Sequence, residues 1–158
     1  MLVYKNYGKG QMTTEERLSA FAEACRGAGL KVTHQRLEIF KELLKSSDHP
    51  TVEKLYSRLK TKLPTISLDT VYRTLSTLEQ HGLVARVQSM ESQVRFEGKT
   101  EEHHHVICKK CGKITDFLWQ FFDEATLPTE IERWGRIEQK SITLQGLCQQ
   151  CAQEDTTK

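Results

Sequence analysis

The stretch HHHVICKKCGKITD, residues 103–116, holds three consecutive histidines, a Cys-x-x-Cys pair and an aspartate. A second Cys-x-x-Cys pair, CQQC, stands at Cys148 and Cys151, with 36 residues between Cys111 and Cys148. A two-residue spacer sets the bite at which two cysteine sulfurs reach one ion, so Cys108, Cys111, Cys148 and Cys151 can supply the four sulfurs of a tetrahedral zinc site. With all four positions taken by thiolate, no place is left for water or substrate. Such a site is structural, stapling the C-terminal segment to the strand that carries CKKC. Thioredoxin-like redox pairs or unrelated surface thiols are the competing readings.

The histidines pose a different problem. In a strand, His103 and His105 point to one face and His104 to the other, so two of the three can share a metal. Carboxylates lie close by at Glu97, Glu101, Glu102 and Asp116. Mixed nitrogen and oxygen donors suit Fe(II), Mn(II), Co(II) or Zn(II), unlike an all-sulfur set, although a histidine run can also be mere solvated polarity. Two sites of different softness imply two different jobs.

The elements that must hold these groups follow from periodicity. Four amphipathic helices are expected first. TTEERLSAFAEACRGAG opens on threonines and places Leu18, Phe21, Ala22 and Cys25 on one stripe before Gly27 and Gly29; Cys25 on such a stripe reads as core, with a reactive thiol as the competing reading. THQRLEIFKELLKSS starts at Thr33 and buries Leu37, Phe40, Leu43 and Leu44. TVEKLYSRLKTKL starts just after Pro50, turns Val52, Leu55, Tyr56 and Leu59 inward and stops before Pro64. SLDTVYRTLSTLEQHG takes Ser67 as its cap, Leu68, Val71, Leu75 and Leu78 as its buried stripe and Gly82 as its stop.

After Gly82 the period changes from 3.6 to 2. LVARVQS and QVRFE alternate around the turn-like MES, as a hairpin does. Helices followed by a hairpin make a winged helix-turn-helix, whose last helix before the wing enters the DNA major groove. The outer face of that helix carries Asp69, Thr70, Tyr72, Arg73 and Thr77, and Ser67 at its start joins the candidate DNA contacts. Arginine can take guanine O6 and N7 with its fork, while hydroxyls reach phosphates.

Charge agrees mildly. Residues 1–98 carry 15 Lys and Arg against 11 Asp and Glu, whereas residues 99–158 carry 8 against 10, so the first part is the basic one. Hydrophobic residues make up 37% of the 158, enough for a modest core. No apolar run approaches the ~20 residues that span a bilayer, and MLVYKNYGKGQ lacks the order of a secretory signal, so no membrane is expected and the cytoplasm is the expected location. Reducing conditions there favour cysteines as ligands or core over disulfides. Neither His-Glu-x-x-His nor His-x-Glu with Pro-Cys-x-x-Cys is present, which argues against a zinc hydrolase or deaminase and for a protein that is not an enzyme. A zinc-ribbon interaction module without DNA would explain the cysteines but leave the winged helix and histidines idle.

HPTVEKLY, SLDTVYRTLSTLEQHGLV, RFE, HHHVICKKCGKITDF and GLCQQC, in this order over residues 14–151, resemble the ferric uptake regulator family of metal-dependent repressors. The resemblance implies an α+β homodimer on a double-stranded DNA operator: a tail (1–12), a winged-helix domain (13–97), a small α/β dimerisation and metal-binding domain (98–153) and a short C-terminal tail (154–158), with a hinge near residues 96–100. It implies a regulatory metal site on His49, Glu97, His103, His105 and Asp116, and structural zinc on Cys108, Cys111, Cys148 and Cys151. Fe(II) is the expected regulatory metal, with Mn(II) or Zn(II) as substitutes. Some members carry a third site, for which His104, Glu124 and Lys140 stand in the corresponding positions here; lysine removes one ligand. Glu97 resembles the iron sensors of the family, whereas Asp116 points toward its peroxide sensors, which work by metal-catalysed oxidation of a histidine ligand.

Overall fold

The computed structural model describes residues 12–87, 89, 93–98 and 102–156. The MES turn, much of the N-terminal tail and parts of the expected hinge and C-terminal tail lie outside these residues. The chain divides into two compact units, Met1–Thr100 and Glu101–Lys158.

The first unit contains four helices, α1 (Thr14–Gly27), α2 (His34–Lys45), α3 (Val52–Lys60) and α4 (Leu68–Gln80), followed by strands β1 (Ala85–Val87) and β2 (Arg95–Glu97). Each helix starts where a hydroxyl satisfies an otherwise orphaned backbone N–H: Thr13, Thr33, Thr51 and Ser67 accept from Glu16, Arg36, Lys54 and Thr70 at 3.2, 3.3, 3.3 and 3.1 Å. At Thr13 the box closes, since Glu16 accepts the Thr13 N–H at 2.7 Å. Past the end of α4, Gly82 at φ +67° turns the chain so that Leu83 N–H reaches the Leu78 carbonyl at 2.8 Å.

The inward stripes meet in one core. Phe21 of α1 stacks on Phe40 of α2 with ring centroids 3.9 Å apart, and Ile39, Leu43, Leu55, Leu59, Val71, Leu75, Leu78 and Phe96 are buried around them. Two expectations change. Leu68 is exposed, because as the first residue of α4 it precedes the turn that faces the core. Helix α3 ends at Lys60, one turn earlier than Pro64 alone demands, where Leu63 N–H still bonds to the Leu59 carbonyl at 2.8 Å. Strands β1 and β2 pair antiparallel, Ala85 opposite Glu97 and Val87 opposite Arg95.

The second unit holds β3 (His104–Cys108), β4 (Ile114–Phe117), α5 (Gln120–Glu124), α6 (Thr129–Glu132), β5 (Thr143–Gly146) and α7 (Gln149–Thr156). Its sheet has the order β4-β3-β5, antiparallel between β3 and β4 and parallel between β3 and β5. The central β3 therefore carries His104, His105 and Cys108, with His103 just before it. Among the described residues no helix is long and apolar enough to cross a membrane.

Cys25 lies within the core of the first unit, with no exposed surface. Burial pushes its thiol above the ordinary value, against the weaker opposing fields of Arg36 and Arg26. A raised thiol keeps its proton in the folded state, so this group's contribution to stability is complete below the ordinary thiol range and declines as pH rises through and above it. In native protein at pH 8, Cys25 should resist iodoacetamide and react only after denaturation, as read by peptide mass. Cys25→Ser should lower unfolding stability by about 1–3 kcal/mol in a urea titration, because it buries a hydroxyl without a provided partner.

Candidate metal and nucleic-acid sites

The four-cysteine group is built at the end of β3. Cys108 closes the strand, the turn 109–112 brings Cys111 back beside it, and Gly112 at φ +70° lets the chain re-enter β4. Parallel pairing of β5 with β3 sets Gly146 opposite Cys108, which delivers Cys148 and the first turn of α7 with Cys151. One sulfur from each of the four lies within 4.8 Å of every other. Cys111 Sγ and Cys148 Sγ are 3.8 Å apart. Zinc–sulfur bonds of about 2.3 Å give a tetrahedron with edges of about 3.8 Å, so the donors fit that ion.

The electrostatics suit a metal too. Backbone N–H groups of Cys111 and Cys148 hold the Cys108 thiol down at about 6, the Cys148 N–H lying 3.3 Å from its sulfur. Burial, reinforced by the crowded neighbouring sulfurs, pushes Cys151 up to about 12. Four thiols so close resist full ionisation by themselves, and a divalent cation removes that conflict.

The nitrogen and oxygen donors fall into two groups. In the first unit His49, buried in the loop before α3, places Nε2 3.2 Å from Glu97 Oε2 on β2, which is also buried. In the second unit His103 Nε2 and His105 Nε2 are 3.1 Å apart, their rings edge to face. Asp116 stands opposite His105 across the β3–β4 ladder, its Oδ1 3.9 Å from His103 Nε2 and 3.7 Å from His105 Nε2. First-row metal bonds of about 2.1 Å put neighbouring donors about 3.0–3.4 Å apart, so both groups are close to ligating geometry. Fe(II), Mn(II) and Zn(II) all accept such donors.

His104 faces the other way, as strand alternation requires, and is buried. Its Nδ1 accepts the Ile142 N–H at 3.3 Å while Nε2 meets Asp123 Oδ1 at 3.1 Å. The carboxylate beside it is therefore Asp123 and not Glu124, which instead accepts from Gln120 at 2.6 Å. Lys140 donates to the Ala125 carbonyl at 2.6 Å and lies 5.4 Å from the Phe122 ring centroid. Among the described residues no third cluster of three or more metal-capable groups forms.

On α4, Tyr72 and Arg73 are exposed. Ser67 and Thr70 spend their hydroxyls on one another at 2.8 Å and on the helix cap. Asp69 Oδ2 holds Arg73 Nε at 2.9 Å and leaves the two Nη groups for other partners. Thr77 bonds back to the Arg73 carbonyl at 2.8 Å. Sequence reading passed over Arg95, a buried cation two residues before Glu97 whose Nη1 donates to the His49 carbonyl at 3.3 Å. The signal was present: strand alternation puts Arg95 and Glu97 on one face of β2.

Fold and donors together define a metal-binding winged-helix protein with a separate sheet unit that carries a four-cysteine knuckle. The Ferric uptake regulator family profile matches residues 27–144, and the chain belongs to that family. A peroxide-responsive repressor PerR of Staphylococcus epidermidis is 32% identical over 140 residues, 89% of this chain and 93% of that one. The Helicobacter pylori ferric uptake regulator Fur, described with three functional metal-binding sites, superposes with a TM-score of 0.71 at 26% identity over 92% of this chain and 97% of its own. The regulator of Francisella tularensis, solved with iron, gives 0.65 at 30% identity over 78% and 96%.

Replacing any one of Cys108, Cys111, Cys148 or Cys151 with serine should remove the tightly held zinc and lower the melting temperature by about 10 °C or more. Zinc analysis after gel filtration and a thermal scan read both effects; full zinc content with unchanged melting would remove the knuckle from the fold's support.

Proposed function

We propose that this protein is a homodimeric, metal-responsive repressor that binds double-stranded operator DNA, with Fe(II) as corepressor at His49, Glu97, His103, His105 and Asp116 and zinc at the four cysteines. The observation that carries the reading is the buried His49–Glu97 pair, which sits in the same compact unit as α4 and on the wing strand β2. Two donors from the DNA-binding unit and three from the sheet unit each form an incomplete shell. A shared ion completes both and favours one arrangement of the recognition helices over the alternatives, as a ligand with differential affinity for two states does. Dimer formation is supported by Leu118, Phe121 and Trp134 of the second unit, large apolar side chains each 77–78% exposed and open to a partner.

On DNA, Arg73 is the base-reading residue and Tyr72 a phosphate or base contact; Ser67 and Asp69 support the helix end and the Arg73 fork, and Thr70 joins the cap. Arg73→Ala should weaken operator binding by about 1–3 kcal/mol per half-site with metal content and dimerisation unchanged. Comparing operator with nonspecific duplex over a salt series checks it: equal losses on both would make Arg73 a phosphate contact.

A second reading, peroxide sensing through oxidation of His49 or His103, is favoured by the 32% identity to a peroxide-responsive repressor. Glu97 argues for the iron reading, because its extra methylene relative to aspartate alters how the carboxylate reaches the ion. Protein loaded with Fe(II) and given a low peroxide dose should keep its operator binding, and peptides containing His49 or His103 should show no added oxygen by mass. Rapid release with one oxygen added to either histidine would establish the peroxide reading instead, and Glu97→Asp should then change little.

A further inference from the structure

Among the described residues His49 is the only non-glycine residue with a positive φ, +46°. Local chemistry opposes that conformation twice. A Cβ disfavours the left-handed region, and the following Pro50 drives its predecessor toward extended backbone at negative φ. A conformation disfavoured by its own sequence persists only where the surroundings over-determine it.

The surroundings here are specific. Phe96 N–H donates to the Pro50 carbonyl at 3.1 Å, and Thr51 forms an isolated antiparallel bridge with Arg95, so the loop is tied to β2 immediately after His49. Ahead of His49, Arg58 grips both oxygens of Asp48 at 3.0 and 2.6 Å and Ser46 Oγ at 2.9 Å. Neither of those ties touches the His49 peptide. Arg95 Nη1 does reach it, donating to the His49 carbonyl at 3.3 Å from a side chain buried on the same face of β2 as Glu97.

We propose that Arg95 is a positioning residue for His49, holding its peptide in the left-handed conformation that turns the imidazole to Glu97, so that this half of the metal site is set before the ion arrives. The inference rests on the reading of His49 as a ligand. It explains why a cation stands among buried groups on the strand that carries Glu97, where a hydrophobic side chain would satisfy packing. It also parallels the general behaviour of groups around a metal's ligands, whose loss weakens binding about 10- to 100-fold without removing a donor.

The first test needs no regulatory metal. Full-length, zinc-loaded protein is prepared as His49→Gly and His49→Ala, each with Arg95 native, Arg95→Met or Arg95→Lys. Glycine accepts positive φ freely, so with native Arg95 the glycine variant should melt about 4 °C above the alanine variant. That gap should fall to half or less with Arg95→Met, as the backbone relaxes, and return in part with Arg95→Lys, which restores a donor. A gap unchanged by Arg95→Met overturns the proposal.

The second test keeps His49 and titrates Mn(II), following the free ion by electron paramagnetic resonance. Arg95→Met should weaken binding about 10-fold or more with zinc content unchanged, and Arg95→Lys should recover most of it. Equal affinity in Arg95→Met overturns the positioning role. His49→Ala is the control for the underlying reading: full Mn(II) affinity there would show that His49 is no ligand, whatever the melting comparison gives. If Arg95→Met does not fold, Arg95→Leu carries both comparisons, and a gap and an affinity equal to those of native Arg95 overturn the proposal.

Discussion

Phe96 N–H, bonded to the Pro50 carbonyl, and the Thr51–Arg95 bridge beside it join the wing strand β2 to the start of α3. The rest of the first unit's chemistry depends on this junction. Phe96 packs into the core on one face of β2, which fixes the strand's rotation; Arg95 and Glu97 are then forced onto the opposite face, toward the loop that carries His49. A slip of one residue would exchange Phe96 for the two charged groups, so hydrophobic burial sets the register and the register sets the ligand pair. The same α3 that begins at this junction packs on α4, and a group that moves the loop acts on an element next to that helix.

The two donor sets divide by chemistry as well as by place. Soft thiolates converge on the end of β3, where a closed shell leaves no exchangeable position and the ion serves as a staple for β5 and α7. Imidazoles and carboxylates, harder and more permissive about geometry, are spread between strand, loop and wing. A single strand serves both: Cys108 closes β3, while His105 near its start and His103 just before it lie beside Asp116. His104 is turned to the other side and spent on Asp123 and the Ile142 backbone, tying β3 to α5 and to the segment before β5.

Much of this was legible from the chain. Hydroxyl caps at Thr13, Thr33, Thr51 and Ser67 and glycine at 82 are local signals, satisfied within one turn of helix, so the four helix starts and the stop of α4 were readable, whereas the stop of α3 was placed a turn late. Also readable were the stripes of Phe21, Phe40, Leu55 and Leu75, the alternation of the three histidines, and the four-cysteine set, whose spacers encode their own geometry. Leu68 was misread because helical periodicity does not say where the first turn lies relative to the core. The resemblance put Glu124 in the position that goes with His104, but neighbouring residues on a short helix point in different directions, and only packing against β3 selects Asp123.

What the tertiary structure alone decided are contacts between groups far apart in the chain. Sequence determined that His49, Glu97 and the histidine strand could be ligands; folding brought His49 Nε2 to 3.2 Å from Glu97 across 47 intervening residues. Pro50 by itself favours extended backbone at His49, and the structure shows the left-handed conformation instead. The reason is physical: local preference at one residue is weak beside the combined hydrogen bonds of β2 and the Arg95 guanidinium, and no reading of neighbours along the chain contains those partners.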